Sequence, residues 1–221
     1  MPGSLRTSTL AASYYRLMER FILPRLPLWG LTPNRLTWAG MLISIAVPAG
    51  FWVDPLLGFV LIMVSGVADS LDGLMARNQK KSSAWGAFLD SSLDRVSDFF
   101  YLLGFWVPLS RHGEPAWATL AIFACLLLTL LISYTKCRAE ALGYLCHAGL
   151  MERGVRVVYL ILWALILGLL PAHEKVALWL GLSLYATLCL TTVIQRIRYL
   201  QGRINKPFTA TASGNRTEKG G

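Results

Sequence analysis

The sequence predicts an all-α membrane protein with six transmembrane helices, preceded by an amphipathic helix at the membrane interface. Composition is the first indication, because 55% of the 221 residues are hydrophobic and only 15% are charged, unlike an average soluble domain. The second indication is that apolar residues are gathered into six segments. Each is close to the roughly twenty helical residues that cross a bilayer core.

The first element is the predicted interfacial helix over residues 10–23. Within it Tyr14, Leu17 and Phe21 recur at helical spacing beside Arg16 and Arg20, a pattern typical of helices that lie in the plane of the membrane surface. The arginines interrupt any continuous apolar run. The segment is therefore not predicted to be a cleaved signal peptide.

The six predicted spans are separated by short breaks that contain prolines or polar residues. They cover residues 36–53, 56–76, 84–109, 117–134, 155–170 and 176–194. We expect them to form one membrane domain over residues 1–206. The tail 207–221, rich in Thr, Gly and Ser, is predicted to be disordered.

Lysine and arginine are distributed unevenly among the breaks. Five lie in the amino-terminal arm, three in the second break, four in and beside the fourth break and six in the tail, whereas the first, third and fifth breaks hold only Arg111 and Lys175. The positive-inside rule then predicts that both termini are cytoplasmic. The net charge of +9 is assigned to membrane topology and anionic lipid headgroups, so no nucleic-acid partner is expected.

Carboxylates occur where hydrocarbon should surround them. Asp69 and Asp72 lie three apart in the second span, and Asp90 and Asp94 lie four apart in the third, so each pair shares one helix face. An ionised carboxylate costs at least about 2.5 kcal/mol at such a depth. A short break joins the two helices into a hairpin, which should bring all four carboxylates together at its cytoplasmic end.

A cluster of oxygen donors without His or Cys favours hard cations, so we expect Mg²⁺ or Mn²⁺, as two ions. The alternative is a structural ion-pair network in which Arg77 and Arg95 neutralise two of the charges. Gly73 and Gly86 lie on the carboxylate faces. Their missing side chains would admit a large ligand, although small residues also serve close helix packing.

The stretch from Asp69 reads DSLDGLMARNQKKSSAWGAFLDSSLD and resembles the signature of the CDP-alcohol phosphatidyltransferase family. The fixed positions of that signature are Asp69, Asp72, Gly73, Ala76, Arg77, Gly86, Asp90 and Asp94. The segment Thr32-Pro33-Asn34 and the six-span layout extend the resemblance over about residues 10–200. Eight fixed residues at fixed spacing make a specific signal.

The resemblance implies a transferase that takes a phosphatidyl group from CDP-diacylglycerol and releases CMP. It implies that Asp69, Asp72 and Asp90 are metal ligands and that Asp94 is both a ligand and the general base. The nucleotide of the donor would be bound by residues of the signature and of the first span, namely Asn34, Gly73, Ala76, Arg77 and Gly86. A homodimer in membrane lipid is also implied.

The fourth break carries Lys136, Arg138, Arg153 and Arg156 on the side where the carboxylates face. This charge suits a phosphorylated acceptor, although a topology signal accounts for the charge equally well. Two details resemble the branch of the family that uses inositol phosphate: the form LDSSLDRVSD, and the K-x-R-x-E followed by ER-x-x-R arrangement.

Alternatives and unassigned residues remain. Glycerol 3-phosphate or an unphosphorylated polyol is the alternative acceptor, and an ion-coupled membrane transporter is the alternative outside the enzyme class. The sequence does not assign roles to Asp98, Glu140 or His147.

Overall fold

The computed structural model describes residues 16–18, 20, 25, 32–78, 83–112, 115–146 and 148–204. Within these ranges the chain is helical and contains no strand, as predicted. The interfacial helix predicted over residues 10–23 falls largely outside the described residues, and the tail 207–221 falls wholly outside them. Both stay predictions.

Seven α-helices make up the described bundle. In chain order they are α1 (Pro33–Ile45), α2 (Val47–Val53), α3 (Pro55–Asn78), α4 (Ala84–Arg111), α5 (Pro115–Ala141), α6 (Arg153–Leu169) and α7 (Glu174–Ile204). A short 3₁₀ turn, Pro171–His173, leads into α7. Since α1 and α2 are separated only by Ala46, they form one span, and the predicted count of six is confirmed.

Prolines and capping residues set several of these boundaries. Thr32 caps α1 by accepting a hydrogen bond from the Arg35 backbone N–H at 3.4 Å, with Pro33 in the first helical position. Pro48 has no backbone N–H to donate, which fits the break before α2. Before α3, Asp54 Oδ1 accepts from the Leu56 backbone N–H at 2.6 Å.

The end of α5 turns the chain back towards the bundle. Gly143 has a φ of 82°, in the left-handed region that favours glycine. The backbone N–H of Tyr144 donates to the carbonyl of Ala139 at 2.9 Å, which closes the helix end. The following segment leads directly to the start of α6.

Four segments are long and apolar enough to cross a membrane: Pro33–Val53, Pro55–Asn78, Pro115–Ala141 and Pro171–Ile204. The other two predicted spans differ in character, because α4 carries several charged residues in its first half and α6 has only 17 residues. The four long apolar helices nevertheless make this an integral membrane protein. Both α5 and α7 continue several residues beyond the spans predicted from hydropathy.

The helices pack around α3 and α4. α1 and α2 contact both of them, α6 lies against α3, and α5 lies between α4 and α7. An aromatic stack fills the centre: the Phe51 and Phe105 ring centroids are 4.8 Å apart, and Phe105 stacks on Trp163 at 3.9 Å. This core lies away from the four aspartates and fixes the helices that carry them.

We expect Gly181→Ala to lower the stability of the bundle. A Cβ at Gly181 would overlap the indole of Trp163, which is held by its stack on Phe105 and by a 3.0 Å hydrogen bond to the Ala177 carbonyl. Overpacking of this kind costs about 1 to 3 kcal/mol. The measurement is the thermal unfolding midpoint in detergent.

The matched control is Gly202→Ala on the same helix, where a Cβ would meet nothing within 4 Å. Its midpoint should be unchanged or slightly higher, since alanine favours helix. Equal midpoints for the two variants would contradict the packing described around Trp163.

Candidate active site

The helices α3 and α4 bring the four signature carboxylates together. Oxygens of Asp69, Asp72 and Asp90 all lie within 4.8 Å of one another. Asp94 follows Asp90 by one helical turn on α4. The cluster lies near the end of α3 and the start of α4, which is where the predicted hairpin places it.

The cluster is only partly open to solvent. Asp72 is 4% exposed and Asp94 is 8% exposed, whereas Asp69 and Asp90 are half-buried. Oδ2 of Asp72 is buried and makes no hydrogen bond to any residue of the described ranges. An unsatisfied buried carboxylate oxygen beside two further carboxylates fits a divalent cation, since all donors are hard oxygens.

Positive charge reaches the cluster from α6. Arg153, the first residue of that helix, donates from Nη1 to Asp69 Oδ2, and its Nη2 lies 2.9 Å from Asp94 Oδ1. Arg95 lies farther from the carboxylates, with 3.8 Å between its Nη1 and Asp94 Oδ2. The sequence suggested Arg77 and Arg95 as counter-ions, whereas in the structure Arg153 lies closer to Asp94 than Arg95 does and also pairs with Asp69.

Arg153 can reach the cluster because α6 packs closely against α3. Gly66 lies one turn before Asp69, and a Cβ there would be 3.0 Å from Val157 Cγ1 of α6. Beneath the cluster, Ser65 Oγ donates to the Gly40 carbonyl at 2.6 Å and lies 2.6 Å from Tyr101 Oη. These hydrogen bonds join α1, α3 and α4 beneath the carboxylates.

The remaining signature positions border the carboxylates. A Cβ at Gly73 would be 3.5 Å from Arg77 Nη1, so this glycine and arginine form one surface, next to Ala76. A Cβ at Gly86 would be 3.6 Å from Asn34 Oδ1. The structure therefore brings Asn34, predicted from a different segment, beside the signature.

The four basic residues predicted from the fourth break occupy three different environments. Lys136 and Arg138 are exposed near the end of α5, and Arg153 is in the carboxylate cluster. Arg156 is 1% exposed and donates from Nη2 to Asp98 Oδ2 at 2.9 Å. Of the unassigned residues, Asp98 is thus a buried ion-pair partner, Glu140 is exposed, and His147 lies outside the described residues.

Sequence reasoning missed Arg196, which was counted with the tail. Its side chain is 2% exposed, with Nε donating to the Ala148 carbonyl at 2.8 Å and Nη1 to the Ile132 carbonyl. It ties α7 to α5 and to the segment before α6. A signal was present, since Arg196 continues the buried stripe of Tyr185, Cys189 and Thr192 at helical spacing.

A cavity of about 630 Å³ lies elsewhere, at the other end of the bundle, lined by residues such as His112, Trp117 and Lys175. It contains none of the carboxylates. Cavity size therefore does not identify the site here, whereas the convergence of carboxylates does.

Comparison with known proteins agrees with this geometry. Residues 30–193 match the model of the CDP-alcohol phosphatidyltransferase family. The archaetidylinositol phosphate synthase of Pyrococcus horikoshii is 33% identical over 177 residues, covering 79% of this chain and 86% of that protein. The phosphatidylinositol phosphate synthase of Streptomyces avermitilis is 33% identical over 204 residues, covering 87% and 81%.

Solved structures are also similar to this chain. The phosphatidylinositol phosphate synthase of Mycobacterium tuberculosis in complex with manganese and citrate has a TM-score of 0.68 and 29% identity, covering 81% of this chain and 87% of that one. The same enzyme with CDP-DAG bound has a TM-score of 0.66 and covers 80% and 90%.

The helical bundle and its carboxylate cluster thus define a membrane-embedded transferase. The chain belongs to the CDP-alcohol phosphatidyltransferase family, and the resemblance drawn from the signature is confirmed.

We expect Asp72→Asn to weaken Mn²⁺ binding. The substitution removes the charge of a buried carboxylate whose Oδ2 has no hydrogen-bond partner in the described ranges, and the expected loss of affinity is about tenfold or more. The measurement is Mn²⁺ titration followed by electron paramagnetic resonance. It requires no substrate and no turnover.

Asp54→Asn is the matched control, because Asp54 is exposed, precedes α3 rather than ending it, and keeps its capping role as Asn. Its Mn²⁺ affinity should equal that of the parent protein. Equal affinities for all three proteins would contradict a metal site at the carboxylate cluster.

Proposed function

We propose that the protein transfers a phosphatidyl group from CDP-diacylglycerol to a phosphorylated small alcohol, with inositol phosphate the favoured acceptor, and releases CMP. The observation that carries this proposal is the convergence of the signature carboxylates with Arg153 at one end of the bundle. The names of the relatives and the solved structure with CDP-DAG support the same donor and acceptor class.

The metal ligands in this proposal are Asp69, Asp72, Asp90 and Asp94, which would hold two Mg²⁺ or Mn²⁺ ions. Bound metal would neutralise the diphosphate and the charge that develops on the departing CMP. The buried, unpaired oxygen of Asp72 supports this assignment. So does the manganese in the solved relative.

The donor nucleotide would lie along Gly73, Ala76, Arg77 and Gly86, with Asn34 beside them. The absence of a side chain at the two glycines supports this placement, because a Cβ there would crowd Arg77 at Gly73, and Ser83 and Asn34 at Gly86. Arg77 is exposed at the end of α3. It can therefore meet a phosphate that approaches from the aqueous side.

Asp94 would act as the general base. In this step the acceptor hydroxyl attacks the lipid-side phosphorus, its proton passes to the Asp94 carboxylate, and the bond to CMP breaks. A single direct displacement is sufficient, because no covalent intermediate is needed for the atoms to balance. The low exposure of Asp94 helps to keep bulk water from competing with the acceptor.

The acceptor phosphate would be bound by basic residues of the fourth break. Lys136 and Arg138 are exposed on α5, and Arg153 reaches the carboxylates themselves, so together they offer charge on the acceptor side of the site. Arg156 belongs to this set by sequence, and in the structure it pairs with Asp98. The homodimer implied by the resemblance stays a prediction.

The orientation is part of the same proposal: both termini and the carboxylate cluster face the cytoplasm. The support is the distribution of Lys and Arg, which are abundant at the carboxylate end and reduced to Arg111 and Lys175 in the opposite breaks.

The function is tested by CMP release from CDP-diacylglycerol across a panel of acceptors in detergent with Mn²⁺ or Mg²⁺. We expect turnover with inositol phosphate to exceed turnover with inositol, glycerol or glycerol 3-phosphate. Asp94→Asn is the control. It should lose turnover by about a hundredfold or more while Mn²⁺ still binds, because the general base is removed.

Faster turnover with glycerol 3-phosphate or with an unphosphorylated polyol would replace the favoured acceptor by the alternative. Absence of CMP release with every acceptor would contradict the proposed activity, and near-normal turnover by Asp94→Asn would contradict the base.

The orientation is tested with the native thiols. Cys137 is exposed beside Lys136 and Arg138, whereas Cys125, Cys146 and Cys189 are buried. A membrane-impermeant maleimide should therefore label the protein in inside-out vesicles and not in intact cells, and Cys137→Ser should abolish the labelling. Labelling of Cys137 in intact cells would show that the protein has the opposite orientation.

A further inference from the structure

A cavity at the end of the bundle opposite the carboxylates has no part in the proposed reaction. Its volume is about 630 Å³, within the roughly 300 to 1,000 Å³ of typical small-molecule sites. It lies between the end of α4 and the starts of α5 and α7, and we call it the distal cavity. The chemistry of its lining indicates what it can bind.

The lining of the distal cavity changes from polar to apolar with depth. The helix ends contribute three side chains with polar atoms, His112, Trp117 and Lys175. About one turn deeper, the same helices contribute Leu109, Ala121 and Trp179. Because Trp117 and Lys175 stand at the beginnings of their apolar segments, the mouth lies at the level of lipid headgroups and the floor at the level of hydrocarbon. This profile fits an amphiphile.

The charge offered by the lining is positive. Lys175 is exposed and makes no ion pair with any residue of the described ranges. The neighbouring carboxylate of Glu174 does not line the cavity and is engaged by His112, with 3.1 Å between Nε2 and Oε2. No acidic residue of the described ranges is part of the lining. The Lys175 ammonium is therefore available to an anion that enters the mouth.

Two indoles add hydrogen-bond donors at the same level. Trp117 and Trp179 make no hydrogen bond within the described part of the chain, whereas Trp106 donates to Thr119 Oγ1 at 2.9 Å and Trp163 to the Ala177 carbonyl at 3.0 Å. An indole at a membrane boundary keeps its ring in the apolar region and offers its N–H to polar groups. The distal cavity thus combines one unpaired cation with two unused donors.

We propose that the distal cavity binds an anionic phospholipid of the leaflet at this end of the bundle. Its phosphate would lie against Lys175 and accept from the indole N–H groups, and the beginning of its acyl chains would cover Leu109 and Ala121. A lipid bound in this way contacts α4, α5 and α7 together, so it should stabilise their ends. The inference does not depend on the transfer reaction.

The test compares phosphatidylglycerol with phosphatidylcholine of the same acyl chains, by native mass spectrometry of the detergent-purified protein. We expect the parent to bind phosphatidylglycerol about tenfold more tightly. Lys175→Gln should remove this preference, and Lys175→Arg should keep it. Because Lys175 is exposed, both variants should fold.

The matched control is Arg111→Gln. Arg111 carries the same charge at the same end of the bundle but does not line the cavity, and it lies over the Trp52 ring, 4.4 Å from the centroid. The lipid preference of this variant should equal that of the parent. Phosphatidylglycerol bound at the carboxylate end would be retained in all variants, so the loss in Lys175→Gln alone isolates the distal cavity.

The place of binding is tested separately, with a phosphatidylglycerol analogue that carries a photoactivatable diazirine on its headgroup. Crosslinked peptides should come from residues 115–121 and 171–180, and the yield should fall about tenfold in Lys175→Gln. Trp117→Phe keeps the ring and removes one donor, so it should lower the yield less. If Lys175→Gln does not fold, Trp117→Phe decides, and an unchanged yield in that variant overturns the proposal.

Several outcomes would overturn the lipid site. They are equal affinities for the two lipids, an unchanged preference in Lys175→Gln, an equal loss in Arg111→Gln, and crosslinking confined to the carboxylate end. Phosphatidylglycerol should raise the thermal unfolding midpoint, whereas millimolar inorganic phosphate should not. A rise with inorganic phosphate that depends on Lys175 would assign the cavity to a soluble anion instead of a lipid.

Discussion

Four carboxylates at the end of a membrane bundle must be balanced by positive charge, and this requirement governs the structure around them. Lipid offers no water to solvate an anion, so each acidic side chain needs a cation or a hydrogen-bond donor within a few ångströms. Arg153 meets part of the demand through Asp69 and Asp94. Since Arg153 and Arg95 bring two positive charges to four acidic groups, the cluster remains suited to divalent metal.

The same requirement explains the packing of the helices. A guanidinium from α6 reaches the cluster only if α6 lies close to α3, and Gly66 permits that approach. On the other side, Gly40 brings α1 close to Ser65, whose hydroxyl joins Tyr101 beneath the aspartates. The small residues near the site therefore serve two purposes: some admit a neighbouring helix, and others leave the outer surface clear.

The sequence predicted the cluster well, because helical spacing and a short connection determine which faces of α3 and α4 meet. Contacts between distant helices were harder to predict. The pairing of Asp98 with Arg156 spans 58 positions, and periodicity within one helix does not specify the facing residue on another. Two structural features that were not predicted did have a signal in the sequence. Pro48 indicated the break that divides the first span, and the heptad-like stripe of α7 included Arg196.

The length of α5 and α7 has a consequence for how substrates arrive. Both helices extend past their apolar stretches, so the basic end of the bundle stands at the boundary between bilayer and water. A lipid donor diffuses in the two dimensions of the membrane, whereas a charged polyol phosphate arrives from the three dimensions of the aqueous phase. A reaction centre at that boundary joins the two without moving a polar headgroup through hydrocarbon.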